Sequence, residues 1–260
     1  MDEPTSTDKR PPSRRIADDL RLSIQVGGLA PGDKLPSERD LAARYGTARN
    51  TAREAISILQ GEGLVVAQHG RGVYVRPNRP LMRLGANRYS RQLRNETGLS
   101  PFRIEVTKQG RVPRTECRSV TRDTPPPDVA ERLGIDANIA TVIRRENWYF
   151  ADDEPVQVGV TYIPVDVAAG SPLATERTLG KGSIYARFEE LGYQVTRIRE
   201  EISARMPYHD ESTGLGMPPG VPVIEVLHTS FDEQHTPFEV TSFVMRGDLN
   251  GLDYDMPVED

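Results

Sequence analysis

Arg39, Arg49 and Arg53 are the residues of this 260-residue chain best equipped to read a nucleic acid. An arginine presents a planar fork of N–H donors that fits a guanine edge or a phosphate. Arg49 and Arg53 stand four apart, which on a helix puts them on one side, with Asn50 and Thr51 between them. A second polar cluster follows at His69-Gly70-Arg71-Gly72, where glycine lets the backbone approach a groove closely. Residues 39, 49–51, 53 and 69–71 are therefore the predicted DNA contacts.

Local signals supply the elements that must hold these side chains. Pro36-Ser37 followed by Glu38, Arg39 and Asp40 is a helix start, because Ser37 can accept a bond from a first-turn amide. Gly46 ends that short helix, and a second runs from about residue 47 to 60 with Ala52, Ala55, Ile56 and Leu59 as its buried stripe. An earlier helix over 13–26 carries Ile16, Leu20 and Ile24 on one face and stops at Gly27-Gly28. Strands at 64–68 and 73–75 flank the glycine turn. Two short helices joined by a tight turn, the second basic at its start, form a helix-turn-helix, and the hairpin is its wing.

The net charge of −5 conceals an asymmetry: residues 11–76 hold ten Lys and Arg against seven acids, or +3, leaving −8 for the rest. That distribution predicts a basic reading head on an acidic body. No run of 18 apolar residues occurs, and residues 1–15 are polar with three prolines, so neither a membrane span nor a signal peptide is expected. The expected location is the cytoplasm, and a single cysteine, Cys117, agrees with it. No metal or cofactor is expected. The four histidines, 69, 209, 228 and 235, fall in no HExxH pattern, and GxSxG, GxGxxG and P-loop patterns are missing, so an enzyme is not expected.

Residues 16–75 resemble the DNA-binding domain of the GntR family of bacterial transcription regulators through PGDKLPSERDLA, RxxxREA, EGLV and HGRGVYV. The resemblance implies operator contacts by Arg39, Arg49, Arg53 and the wing tip at His69-Gly70 with Arg71. One departure stands at Thr47-Ala48, where the family carries Val-Ser or Val-Thr ahead of the recognition helix. Ala48 lacks the hydroxyl that would cap the helix and touch phosphate, and Thr47 is the open substitute.

The organisation expected is a loose tail over 1–12, a winged helix-turn-helix over 13–77, a linker and hinge over 78–96 and a second domain over 97–260. Overall this is an α+β chain. Predicted helices in the second domain are 127–133 and 183–191; predicted strands are 102–107, 141–150, 156–162, 198–205, 223–231 and 238–245. Leu133-Gly134-Ile135 recurs as Leu215-Gly216-Met217, and Pro155 as Pro237, both 82 residues on. Two equivalent hairpins about a pseudo-two-fold axis with a cleft between them, or a coincidence of common hairpin patterns, both account for the repeat. Under duplication, Gln157 and Glu239 are counterparts.

This second half resembles the UTRA domain of HutC-type GntR regulators through DxEPVQ leading to Tyr162-Ile163-Pro164, and TPFEV with MRGD. The resemblance implies a chorismate-lyase-like fold with an antiparallel sheet that binds a small effector. Positions matching the pocket of amino-sugar-phosphate-binding members are Asn147, Tyr149, Gly159, Glu239 and Met245, of which only Glu239 keeps the family residue. Strand alternation adds Arg145, Thr161 and Thr241 to the same faces. Predicted effector contacts are thus Arg145, Asn147, Tyr149, Thr161, Glu239 and Thr241, toward a phosphorylated or acidic metabolite. The function expected is a homodimeric repressor on an inverted-repeat operator in double-stranded DNA, modulated by that effector. A constitutive repressor with a vestigial pocket and a lyase-like enzyme are the alternatives.

Overall fold

The computed structural model describes residues 10–68, 70–76, 80–83, 85–139 and 141–255. The chain divides into two compact units at Arg79/Pro80. Most of the predicted tail, and the wing-tip residue His69, lie outside the described residues.

In the first unit α1 (Pro12–Gln25) begins with proline at its first helical position, where no amide partner is needed, and buries Ser13, Ile16, Ala17 and Leu20. The second helix, α2 (Glu38–Tyr45), starts from a reciprocal cap: Ser37 Oγ accepts from Asp40 N at 3.2 Å and the Asp40 carboxylate accepts from Ser37 N at 3.3 Å. Gly46 closes it with φ 61°, which glycine adopts without strain. Recognition helix α3 (Arg49–Gly61) buries Ala52, Ala55, Ile56 and Leu59. The wing is the antiparallel pair β1 (Val65–Gln68) and β2 (Gly72–Val75). Leu35, Leu41, Val65 and Val75 complete the core, so helices and wing share one hydrophobic centre.

The second unit opens with β3 (Leu81–Arg83), a 3-10 turn (Gly85–Tyr89), α4 (Arg91–Thr97) and α5 (Pro101–Lys108). This corrects two expectations. The supposed linker is folded from Leu81 onward, since the arginines that gave it a linker's polarity are buried in ion pairs: Arg83 with Glu200, Arg88 with Glu105, Arg94 with Glu189. The supposed strand 102–107 is helix α5, because Ser100 caps the Arg103 amide and Pro101 takes the first helical position.

There follow β4 (Pro113–Asp123), α6 (Pro127–Leu133), β5 (Val142–Ala151), β6 (Glu154–Pro164), α7 (Val165–Ala168), α8 (Pro172–Thr175), α9 (Ser183–Glu190), β7 (Arg197–Arg205), α10 (His209–Gly214), β8 (Val223–Phe231), β9 (Pro237–Arg246) and β10 (Asn250–Leu252). Six strands form one antiparallel sheet in the order β4-β5-β6-β9-β8-β7. Strand β10 pairs in parallel with β3.

The sheet order is its own mirror image, and each half runs strand, helix, hairpin: β4-α6-β5-β6, then β7-α10-β8-β9. Helices α6 and α10 start 82 residues apart, at Pro127 and His209, and Val160 pairs directly with Ser242, also 82 residues on. Two residues that are sequence counterparts and ladder partners lie on the two-fold axis of a duplication. Coincidence does not produce that register. The expected cleft between the hairpins does not exist, because β6 and β9 hydrogen-bond edge to edge.

Alternation then sorts side chains between the two faces. Val129 and Leu133 of α6 pack on Val142, Tyr162 and Val240, and Leu215, just after α10, packs on Trp148, Val223 and Val244. The opposite face carries Arg145, Thr161, Glu239 and Thr241, all buried. Gly159 lies on that face, and a Cβ there would meet two ring carbons of Phe243 at 2.8 Å and Tyr149 at 3.2 Å. Gly159→Ala is therefore expected to destabilise this unit by about 1–3 kcal/mol through overpacking. Trp148 of β5 is the single tryptophan, so the denaturant midpoint of intrinsic fluorescence checks the prediction.

Candidate nucleic-acid interface and ligand cavity

The first unit presents its basic residues to solvent. Side chains of Arg39, Arg49 and Arg53 are 84%, 67% and 60% exposed, so none is used in packing. Asn50 is exposed and Thr51 half-buried. Glu38 holds Arg53 by two bonds of 2.9 Å and lies 3.8 Å from Arg49. Those bonds from Arg53 hold the Glu38 carboxyl below its ordinary range. A carboxylate thus sits where a two-pronged guanidinium would otherwise meet phosphate. At the wing, Gly70 has φ 71° and Gly72 φ 121°, and a Cβ on Gly72 would lie 2.7 Å from Cε of Lys34. Both positions therefore call for glycine, and they leave Arg71 exposed at the turn.

The departure at Thr47-Ala48 now has a structural meaning. Ala48 is the N-cap of α3 and offers no side-chain bond. Thr47 does not substitute, because its Oγ1 is buried without a hydrogen-bond partner among the described residues.

On the polar face of the second unit's sheet lies a cavity of about 660 Å³. All six predicted effector contacts, Arg145, Asn147, Tyr149, Thr161, Glu239 and Thr241, line it. Register explains the convergence: Arg145 pairs with Thr161, Thr161 with Thr241, Thr241 with His228, and His228 with Glu200, one polar row across five strands. The Thr161 and Thr241 hydroxyls are 2.8 Å apart, and Thr241 also donates to the Glu239 carboxylate. Ser230 Oγ donates to the other Glu239 oxygen at 2.7 Å.

Arg145 is 1% exposed. It donates to the backbone carbonyls of Leu173 at 2.6 Å and Glu176 at 2.7 Å, while its Nε has no partner among the described residues. Burial pulls this guanidinium below its ordinary value. Burial also pushes the Tyr149 phenol up to about 12, so it stays a neutral donor and ring surface. The Phe102 ring lies edge-on to Tyr149, with centroids 5.0 Å apart.

Two stretches not singled out from sequence close the cavity: residues 98–103 at the start of α5, and 177–185 leading into α9. They bring Arg103, Arg177 and Lys181 to its wall. Gly182 caps α9 at φ 75° with no side-chain bond, leaving first-turn amides free for a ligand, and its own amide donates to Gly98 O at 2.8 Å. Gly180-Lys181-Gly182-Ser183 before a predicted helix was the available signal, since such a run reads as an anion-friendly helix start. Arg88, Thr115 and Cys117 also line the cavity and carry no local pattern that would mark them. Among the described residues, no group of three His, Cys, Asp or Glu side chains is placed to hold a metal.

Two family models match the chain: the gntR family of bacterial regulatory proteins over residues 12–75 and the UTRA domain over residues 108–249. The chain is a GntR-family regulator with a UTRA domain. An uncharacterized HTH-type transcriptional regulator of Streptomyces coelicolor is 29% identical over 256 residues, 97% of this chain and 95% of that one. The HTH-type transcriptional repressor NagR of Bacillus subtilis is 26% identical over 235 residues, 90% of each chain. The crystal structure of PhnF from Mycobacterium smegmatis shares the fold at TM-score 0.59 and 22% identity, across 94% of this chain and all of that one. The predicted α+β architecture is the one observed. A GntR regulator binds DNA to control transcription and is not an enzyme, which removes the lyase-like alternative. Among the described residues, no helix of this regulator is long and apolar enough to cross a membrane.

Because α3 lacks a side-chain cap, Ala48→Ser is expected to stabilise the GntR unit by about 1 kcal/mol. Helical circular dichroism during denaturation reads the shift, since that unit contains no tryptophan.

Proposed function

We propose that this regulator is a homodimeric repressor of an inverted-repeat operator, controlled by an anionic metabolite bound in the UTRA cavity. Arg145 carries the effector's class. A fully buried guanidinium with no carboxylate partner among the described residues is a costly arrangement, which a ligand phosphate or carboxylate relieves. Arg103, Arg177 and Lys181 add positive charge, and the free amides at the start of α9 add donors. Glu239, an acceptor when ionised, and Asn147, Thr161 and Thr241 then orient hydroxyl or amine groups on the same molecule, with Tyr149 against its apolar side.

In this reading Arg39, Arg49, Asn50, Thr51 and Arg53 face the major groove, and His69, Gly70 and Arg71 reach the neighbouring minor groove or backbone. High exposure of the three helix arginines supports it. Two-fold symmetric half-sites one helical turn apart call for two heads, hence the dimer. The name of NagR, a repressor, favours repression over activation. The site of action is the cytoplasm, where bacterial operators lie.

Arg49→Ala is expected to lower discrimination between the chain's own promoter fragment and random duplex by ~1–3 kcal/mol, with folding unchanged, in competition binding at physiological salt. Wild-type affinity ratios in that variant would place the recognition surface elsewhere. A thermal-shift screen of phosphorylated and carboxylated metabolites should find a stabiliser worth about 2.7 kcal/mol at a hundredfold excess over Kd. A response only to neutral compounds would overturn the anionic class, and none at all would point to a vestigial cavity.

A further inference from the structure

A chain of buried polar side chains leaves the cavity and ends on the first strand of the UTRA unit. From Glu239 it passes to Ser230 Oγ at 2.7 Å, then to His228 Nε2 at 3.1 Å. His228 Nδ1 lies 3.1 Å from Glu200 Oε1, the oxygen that also accepts from Tyr89 OH at 2.7 Å and binds the Arg83 guanidinium. Tyr254 OH donates to the other Glu200 oxygen at 2.6 Å. Arg83, His228, Ser230 and Glu239 are all at most 3% exposed. Burial pushes the Glu200 carboxyl up, but hydrogen bonding from His228 and the charge of Arg83 more than offset it and hold the group far below its ordinary range.

This chain can take two arrangements because Ser230 has one proton to donate. Given to Glu239, it obliges His228 Nε2 to be the donor toward Ser230. Given to His228, it puts a singly protonated ring's hydrogen on Nδ1, which then donates to Glu200 with no change in net charge. A ligand hydroxyl or amine that donates to Glu239 competes with Ser230 and favours the second arrangement. Arg83 feels the difference, because two of its nitrogens, Nε and Nη1, have no partner among the described residues and Glu200 is its carboxylate. Partly satisfied buried networks respond strongly to the change of one member. Arg83 sits on β3, which begins one residue beyond the boundary at Pro80, on the side from which the chain arrives from the GntR unit. Phe243 adds a second link, lining the cavity with the Arg83 guanidinium 4.8 Å from its ring centre.

We propose that the Glu239–Ser230–His228–Glu200 relay couples occupancy of the cavity to strand β3 through Arg83, making Ser230 and His228 positioning residues of the regulatory response. The inference rests on the cavity being the effector site, yet its test needs neither effector nor operator. Hydrogen–deuterium exchange of the full-length chain is followed in peptides covering residues 80–90. Ser230→Ala should speed exchange there severalfold, Ser230→Thr should restore it, and Asn147→Ala, in the cavity but off the relay, should leave it at the wild-type rate. Ser230→Cys, nearly isosteric and a far weaker donor, gives the same reading if the alanine variant does not fold. Wild-type exchange in folded Ser230→Ala or Ser230→Cys would overturn the relay, as would an equal rise in Asn147→Ala. Failure of the metabolite screen with a positive exchange result would refute the effector reading and leave the relay standing.

Discussion

The antiparallel pairing of β6 with β9 is the constraint on which the second unit depends. It joins two copies of a strand-helix-hairpin unit at Val160 and Ser242 and sets the register of everything on either side. A slip of one residue would send Thr161, Glu239 and Thr241 to the helix-covered face and bring Tyr162 and Val240 into the cavity. The polar row across five strands is thus a product of ladder geometry. Gly159 shows how tightly the same register is filled, since the Phe243 ring occupies the space a side chain would need.

Arginine plays two opposite parts in the molecule. In the GntR unit the guanidinium groups of helices α2 and α3 point outward, and the core beneath them is built from alanine, leucine, isoleucine and valine. In the UTRA unit Arg83, Arg88 and Arg94 are buried beside carboxylates, while Arg145 is buried on backbone carbonyls. Paired buried charges fix geometry more than they add stability, because desolvation consumes much of the attraction. Arg145, with no carboxylate, is the exception that makes the cavity chemically specific.

Much of this was legible in the sequence where the signal is local. Ser37 and Gly46 bracket α2, the Ala52 to Leu59 stripe defines α3, and period-two alternation placed Arg145, Thr161 and Thr241 on the face where they lie. What failed was long-range. Residues 78–96 read as a linker because arginine, asparagine and glycine look solvated until their partners, Glu200, Glu105 and Glu189, are known, and those lie far along the chain or in another element. Phe102, Ile104 and Val106 alternate like a strand, but the cap at Ser100 and the fold around Leu81 and Leu249 impose a helix. Edge strand β4, largely polar along its length, left no hydrophobic pattern to find. The loop 177–185 reaches the cavity only through tertiary packing, so its residues carried no mark apart from the glycines around Lys181.

The Glu38–Arg53 pair bears on how the head responds to ionic strength. An arginine free in solution gathers counterions around DNA contacts in the ordinary way, and each phosphate it neutralises steepens the salt dependence of binding. Arg53 is already neutralised by Glu38 before any DNA arrives. Its passage to a phosphate exchanges one anion for another and leaves Glu38 to recruit a cation of its own. Such a contact contributes orientation while adding little to the number of ions displaced, so the head discriminates more by shape and hydrogen bonding than its count of arginines implies.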